Sequence, residues 1–390
     1  DIIGTEEHRI LVVDNNLDFV WKHISELKTE DIVIRRVGDN IWSKTEKSLP
    51  PISNQGTDGV KRNLKFVKSP EETSYSFGLF LGMLMSDGNI IENGIGFTSI
   101  HKDMLDLFST LLYDLFGLTG LETLDKRTDR VYSITVNSRV LSRWFLSIGV
   151  PRYHDDNSIP ECIRRASVDT VKGFIKGYTL DGYVYNNGKK IAVASTVSRL
   201  MAKDLAAVLC NLGYDTSIHF KKGRSFYFSE TNQGMGQNQY VISLSVNSGV
   251  DFMKNIGCLE EHKNKIFNAE KVDYPHKINS IPSDVPRALF EKSEKLQSIA
   301  NLRNIMKANT NRMSVAVLQR YFGDFEFTQH ILDDVNLRFT KISSIDYFGD
   351  LPTFDISVKN SHEYIANSVV VHNTLKYDPE SVTYSEFSQM

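Results

Sequence analysis

The sequence predicts a mainly β domain interrupted by an inserted α+β domain. Three observations lead there. Both ends of the chain alternate apolar and polar residues in short runs, the period of half-buried strands. Residues 76–260 mix helical and strand periodicities, and one pattern occurs in them twice. The 390-residue length suits two or three domains at roughly 100–200 residues each. The alternative is three domains in series.

From the N-terminus, residues 1–36 carry Arg9-Ile10-Leu11-Val12-Val13, Phe19-Val20-Trp21-Lys22 and Asp31-Ile32-Val33-Ile34, all strand-like. Residues 37–75 hold Pro50-Pro51, Gly56, Gly59 and Pro70 among many Ser, Thr and Lys, which predicts a linker. Beyond the α+β segment, residues 261–336 read as a basic linker or DNA-contact region, helical from Val285 to Tyr321. The 261–320 part is basic, with 11 Lys and Arg against 6 Asp and Glu, and is either a phosphate-contacting surface or a solvated face. Strand patterning returns in 337–373, in Phe339-Thr340-Lys341-Ile342, Phe354-Asp355-Ile356-Ser357-Val358 and Ser368-Val369-Val370-Val371.

Composition excludes several classes. With 41% hydrophobic and 24% charged residues the chain is globular, neither disordered nor collagen-like. Its densest apolar run, Phe77 to Met85, falls far short of the roughly 20 residues of a spanning helix, so no membrane partner is expected. The start, Asp1-Ile2-Ile3-Gly4, has neither a basic nor an apolar leader pattern. Cys162, Cys210 and Cys258 form no CxxC pair, which predicts a reducing, cytoplasmic setting without structural zinc or disulfides. The net charge of −3 points to no particular partner, and 76–260 balances 19 basic against 18 acidic residues.

The repeat within 76–260 is the strongest organisational signal. Leu84-Met85-Ser86-Asp87-Gly88 has a counterpart in Gly177-Tyr178-Thr179-Leu180-Asp181-Gly182. Each is followed by a strand-like stretch and an amphipathic helix, Met104 to Phe116 and then Leu200 to Leu212. Each half next offers a strand expected to end in the same tripeptide, Val136-Asn137-Ser138 and Val246-Asn247-Ser248. The second half is longer, mostly in Lys221 to Gln239. Two copies of one unit imply a pseudo-twofold axis. Helices meeting on that axis would bring Asp87 and Asp181 together at its base, and paired carboxylates hold Mg2+ for phosphodiester cleavage. Gly82 and Ser86, four apart on one helical face, would permit a close backbone approach. A single Asp-Gly ordinarily just ends a core helix; the pair in a repeat points further.

Phe80-Leu81-Gly82-Met83-Leu84-Met85-Ser86-Asp87-Gly88 and Phe174-Ile175-Lys176-Gly177-Tyr178-Thr179-Leu180-Asp181-Gly182 resemble the paired motifs of the LAGLIDADG homing endonucleases. The resemblance implies an αββαββα unit in each half, cleavage of double-stranded DNA with Mg2+ at Asp87 and Asp181, and β-ribbons that read the major groove. The family also uses a basic residue in each half, for which Lys126 and Lys222 are the candidates. The second motif departs by one residue. Its glycine lies four before the acid where the family has five, and Lys176 falls where a small residue is expected. One residue is about 100° of helical rotation, which predicts looser packing of the second helix.

The two ends carry a second chemistry. In His372-Asn373-Thr374, the Asn side-chain amide can attack its own carbonyl and cut the chain after Asn373. His372 can assist by hydrogen bonding to that carbonyl, and the Thr374 hydroxyl can act as a nucleophile. Near the other end, Thr5 and His8 can polarise a peptide bond, although in isolation they read as a turn residue and a surface histidine. Thr5-x-x-His8, with Trp21 and Leu27-x-x-x-Asp31, resembles the second sequence block of inteins; Phe354 to Asn373 resembles the last two, with Asp355, His362 and the terminal His372-Asn373. An endonuclease inside a splicing (Hint) domain is the usual intein arrangement.

This resemblance implies protein splicing without metal or cofactor, by Asn373 cyclisation and transfer to Thr374, with 374–390 as C-extein. Asp355 and His362 would hold the site. Inteins begin with a Cys or Ser nucleophile in a block preceding Thr-x-x-His, so the expectation is the C-terminal part of a split intein, or a truncated chain. Its expected partners are an N-terminal intein fragment, the host-protein exteins and the homing-site DNA. The alternative is a homing endonuclease or DNA-binding protein whose flanks no longer splice.

Overall fold

The computed structural model of the chain describes residues 2–54, 66–124, 131–185, 188, 190–229, 232–267, 280–307, 312–334, 336–352, 356, 358 and 362–373. They form two units, one from Asp1–Asp39 with Tyr274–Met390 and one from Asn40–Asp273. The first is built around strands from both ends of the chain, so the second interrupts it, as the alternating ends predict.

The first leg of the interrupted β unit supplies β1 (Arg9–Val13), β2 (Phe19–His23) and β3 (Ile32–Arg36). The second leg begins with β14 (Ser280–Pro282), α9 (Asp284–Glu291), α10 (Glu294–Gln297) and α11 (Ala300–Lys307), numbered in chain order after the insert. It continues through β15 (Arg312–Ser314), α12 (Val315–Phe322) and α13 (Glu326–Asp333), and ends in β16 (Leu337–Lys341), β17 (Glu363–Ala366) and β18 (Val369–His372). The main sheet runs β16-β3-β1-β18-β17, with β2 also on β1. Its strands keep period 2 and cover both faces. Ile10, Val12, Val33 and Val371 share one buried cluster. Val13, Ile32, Ile34 and Val370 join the other, against Val285, Leu289, Leu302, Leu318, Phe322 and Ile331 of the helices.

The basic stretch is therefore not a linker. Residues 280–307 and 312–334 form a helical layer on the sheet. Each fully buried aliphatic or aromatic side chain contributes about 1.5–3 kcal/mol, against about 0–1 for an exposed ion pair. The apolar stripe thus fixes the packing, and the Lys and Arg residues decorate its outer face.

In the inserted unit the first half is α1 (Tyr75–Asp87), β4 (Gly88–Ile91), β5 (Gly94–Ser99), α2 (Lys102–Phe116), β6 (Leu121–Leu124), β7 (Tyr132–Asn137) and α3 (Arg139–Ser147). After the short α4 (Glu161–Arg164) the order repeats: α5 (Val168–Tyr178), β8 (Tyr183–Tyr185), β9 (Lys190–Thr196), α6 (Arg199–Asn211) and β10 (Thr216–Lys221). An extra hairpin, β11 (Ser225–Ser229) and β12 (Asn232–Met235), precedes β13 (Gln239–Leu244) and α7 (Val246–Asn255), and α8 (Glu261–Ile266) closes the unit. Each half is αββαββα, and the hairpin accounts for the longer second half. The two sheets run β4-β5-β7-β6 and β10-β13-β9-β8.

Two readings of the insert differ from the structure. Val136-Asn137-Ser138 ends a strand, with Ser138 capping α3 through Leu141 N, whereas Val246-Asn247-Ser248 is the first turn of α7. Ser245 is the N-cap there, so it is the counterpart of Ser138, and the shared tripeptide is out of register. Nor is 37–75 a linker. Leu49, Ile52 and Val67 are buried in the insert's core, and Leu49 N donates to Glu71 O. The Glu46 carboxylate accepts from Thr73, Ser167 and Thr170, at the N-termini of α1 and α5. Burial raises its pKa, but those three hydroxyls outweigh it and the net shift is downward.

The contact between α1 and α5 organises the insert. A Cβ on Gly82 would lie 2.2 Å from Phe174 O and 3.0 Å from the Gly177 Cα; one on Gly177 would lie 2.3 Å from Leu79 O and 3.0 Å from the Gly82 Cα. Gly78 and Gly173 meet backbone oxygens of the opposite helix at 2.2 and 2.4 Å in the same way. The second helix therefore packs as closely as the first, contrary to the expectation from Lys176. Gly177, not Lys176, occupies the crossing, and the small pair on α1 is Gly78 and Gly82 rather than Gly82 and Ser86. Among the described residues, no helix is long and apolar enough to cross a membrane.

Gly177→Ala should destabilise the insert by about 2 kcal/mol or more through overpacking. Ser86→Ala, which removes only a hydroxyl bonded to Met83 O, should cost less than about 1 kcal/mol. Urea unfolding of the full chain followed by tryptophan fluorescence checks the difference, and equal costs would contradict the glycine crossing.

Candidate functional site

The β unit's site starts from a register. Across β1 and β18, Arg9 lies opposite His372 and Ile10 opposite Val371. The β17–β18 hairpin turns on Asn367 and Ser368, both with positive φ (49° and 68°), the two-residue geometry that matches strand twist. Its open end is extended by Asn373 N donating to His362 O at 2.9 Å. His372 and Asn373 are thereby held at the end of a paired strand, beside the start of β1, which follows His8 directly.

His372 Nδ1 lies 2.7 Å from the backbone oxygen of Asn373 and 3.1 Å from the Arg9 guanidinium. One ring nitrogen cannot serve both groups in one protonation state. Carrying a proton, it donates to the carbonyl; without one, it accepts from Arg9. The ring packs edge-on against Trp21 at 5.1 Å and stacks with His362 at 6.0 Å. Asn373 is buried, and its Oδ1 has no hydrogen-bond partner among the described residues.

Thr5 to His8 forms a turn closed by His8 N on Thr5 O at 3.1 Å. Thr5 itself is exposed. His8 Nε2 lies 3.3 Å from the Tyr364 hydroxyl of β17. The structure thus brings His8, His362, His372 and Asn373 to neighbouring ends of β1, β17 and β18. Asp355 and Thr374 lie outside the described residues.

In the insert, α1 ends on Asp87, while α5 stops at Tyr178 and a 3-10 turn, Thr179–Asp181, carries the second acid. That turn makes up the residue missing from the second motif. Five α-helical residues rise about 7.5 Å, as do one α step and three 3-10 steps, and the angular mismatch falls from about 100° to about 40°. The two acids sense each other. Desolvation, then the charge of Asp87, raise the Asp181 pKa to about 7, against an opposing pull from Lys263. Asp87 is raised by desolvation and by Glu260, with Lys263 and His154 opposing.

Lys263, buried on α8, donates to Thr179 O at 3.1 Å and Leu180 O at 2.9 Å and pairs with Glu260. It bears on both acids. Lys222, by contrast, is exposed just beyond β10, and Lys126 lies outside the described residues. Sequence reasoning passed over Arg9, Tyr364 and Lys263. Arg9 follows His8 directly, but its importance comes from a cross-strand register, and nothing in the sequence distinguishes Lys263 from a solvated lysine.

A family model described as an intein splicing domain matches residues 1–373. The chain belongs to the intein splicing family. The match ends on Asn373, the residue whose carbonyl faces His372. This intein is 24% identical over 344 residues to the replicative DNA helicase DnaB of Nostoc sp., covering 79% of this chain and 38% of the helicase. It is 21% identical over 421 aligned positions to the replicative DNA helicase DnaB of Synechocystis sp., covering 98% of this chain and 43% of that helicase. The intein thus spans less than half the length of these relatives. Among solved structures, the homing endonuclease I-DmoI in complex with DNA and Mn is similar at 18% identity and a TM-score of 0.34, covering 47% of this chain and 96% of that one.

The raised Asp181 pKa has a consequence for the intein's stability. The folded insert holds a proton that the unfolded chain releases near pH 4. That contribution is present below about pH 4 and is lost as pH rises towards about 7, up to about 4 kcal/mol in all. Asp181→Asn should therefore stabilise the insert at about pH 8 and leave it nearly unchanged at about pH 4. Thermal unfolding at the two pH values reads this out; a variant less stable at pH 8 would contradict it.

Proposed function

We propose that this intein releases its C-terminal flank by cyclisation of Asn373. The observation that carries the reading is the 2.7 Å contact between His372 Nδ1 and the Asn373 carbonyl oxygen. The Asn373 side-chain nitrogen attacks that carbonyl carbon, the bond to residue 374 breaks, and the departing amine takes up a proton. The new C-terminus is a succinimide. A protonated Nδ1 stabilises the oxyanion formed on the way, and Trp21 with His362 fixes the ring's plane. Arg9 competes with that carbonyl for the same nitrogen.

In full splicing, Thr374 receives the N-terminal flank before Asn373 cyclises, and His8 in its turn supports the earlier acyl shift, with Thr5 and Asp355 assisting. That shift calls for a Cys or Ser nucleophile ahead of Thr5, on this polypeptide or on a separate N-terminal fragment. Either source leaves the C-terminal step as drawn.

Asn373→Ala should abolish release of the flank, and His372→Ala should slow it by about 10²–10³-fold, the worth of an oxyanion donor. Arg9→Met, which keeps the stem but loses the donors, should accelerate release several-fold. Mass spectrometry of the purified chain over time measures all three. Slower release in Arg9→Met would reassign Arg9 to holding the ring in place.

A second reading concerns the insert: double-stranded DNA cleavage with a divalent cation. The duplicated αββαββα unit with two mutually repelling carboxylates supports it. Asp87 and Asp181 offer hard oxygen donors whose repulsion a cation relieves, so the pair fits Mg2+. The ion would neutralise charge on the phosphodiester oxygens. Lys263 holds the carbonyls of the turn that carries Asp181, and thereby positions it. Lys222 and the exposed strand β10 lie where a backbone phosphate can approach.

Mg2+ should raise the thermal midpoint at about pH 8, where both acids ionise, and should not do so in Asp87→Asn. The same variant should lose Mg2+-dependent cutting of DNA that carries the intein-free host sequence, while still releasing its C-terminal flank.

A further inference from the structure

We propose that His101, Glu260 and His262 form a transition-metal site of the zinc class on the insert, separate from the Asp87–Asp181 pair. The three side chains offer two imidazole nitrogens and a carboxylate oxygen, all within 4.8 Å of one another. His101 Nε2 lies 3.2 Å from Glu260 Oε1, and the two imidazole rings are 5.3 Å apart at 36°. Ligands around a tetrahedral Zn2+ stand roughly 3–3.5 Å apart, given bonds of about 2.0–2.1 Å. Closing the cluster onto an ion thus requires only rotamer adjustments, and His262, exposed on the first turn of α8, has room to make them.

The backbone already fixes the other two ligands. His101 is the N-cap of α2, its amide bonded to Ser99 Oγ, and its carbonyl accepts Met104 N. Glu260 is the N-cap of α8. Its Oε2 is taken by the buried Lys263, which also holds Thr179 O and Leu180 O, so Oε1 is the oxygen left facing the imidazoles. A carboxylate anchored through one oxygen and ligating through the other is the outer-shell arrangement that tuned metal sites use. Lys263 thus plays the part of a supporting residue to this site while reaching the acid pair.

Donor chemistry selects the ion. Two imidazoles and one carboxylate suit Zn2+, Co2+ or Ni2+, and leave a position open for water. Mg2+, which prefers oxygen ligands, is selected against. The ligands come from different parts of the repeat, His101 from the first half and Glu260 with His262 from the segment after the second. An ion there would tie the start of α2 to α8, and so brace the turn on which Asp181 stands.

The test uses the untagged full chain titrated with Co2+, followed by its visible ligand-field absorption. The expected result is saturation at one Co2+ per chain, displacement by Zn2+, indifference to excess Mg2+, and loss of the signal in His101→Gln and in His262→Ala. Far-UV circular dichroism shows whether each variant stays folded, and His262, being exposed, keeps the test valid if His101→Gln unfolds. Zn2+ should also raise the thermal midpoint of the wild type and not of His262→Ala. Absence of saturable binding would overturn the proposal. So would binding that survives in His262→Ala, or a thiolate charge-transfer band, which would move the ion to Cys258.

Discussion

Arg9 and His372 stand 363 positions apart and face each other across two antiparallel strands. Most of what the β unit does follows from that pairing. Strands from opposite ends can share a sheet only if everything between leaves and returns at adjacent points. Residues 40–273 are therefore tolerated as a separate unit rather than woven into the sheet. The same register sets His372 beside Arg9, puts Asn373 in the backbone bond to His362, and brings His8 within reach of Tyr364. Slipping it by one residue would turn every side chain of β18 to the other face. Val371 would leave its cluster and His372 would point away from Arg9. Fold and chemistry thus depend on one pairing, which makes the site hard to lose without also losing the core.

The insert has its own constraint, the approach of α1 and α5 through four glycines. Backbone contact at that distance leaves no space for side chains between the helices, so their ends are forced together. Two carboxylates at those ends repel, and the site remains electrostatically unfavourable until protons or a cation balance it. The 3-10 turn at Thr179–Asp181 shows how exact spacing gives way to geometry: a shorter connection is stretched to the same rise. Lys263 stabilises this turn by donating to two of its carbonyls, Thr179 O and Leu180 O.

Much of this was legible in the sequence. Period-2 alternation located β1, β2, β3, β16 and β18, while most of the expected strand Phe354–Val358 lies outside the described residues; the doubled Asp-Gly pattern located the repeat. The position of His372 against the Asn373 carbonyl followed from adjacency alone. What escaped was whatever depends on long-range register or on burial of polar groups. Pro50, Pro51 and the hydroxyl residues nearby looked like a linker, because nothing local announces that Glu46 will collect three hydroxyl donors from two helix N-termini. The basic count in 261–320 suggested a surface function, although the apolar stripe in the same residues was decisive. The shared Val-Asn-Ser tripeptide misled by three residues, because identity of letters is weaker evidence than the N-cap position, which Ser138 and Ser245 occupy. Gly177 was misassigned since counting from the acid assumed an unbroken α-helix.

The two chemistries share no residue. Every described group around His372 comes from the interrupted β unit, and every group that shifts Asp87 or Asp181 comes from the insert. Each unit also has its own buried clusters. Changes in separate units with no common partners combine additively in free energy to within a few tenths of a kcal/mol. The cost of holding two carboxylates together thus falls on the insert alone, and the splicing centre need not be stable enough to cover it. That independence explains how a strained acid pair and the His372–Asn373 centre can be carried by one chain. Each can also be lost without the other, so competence in one centre carries no information about competence in the other.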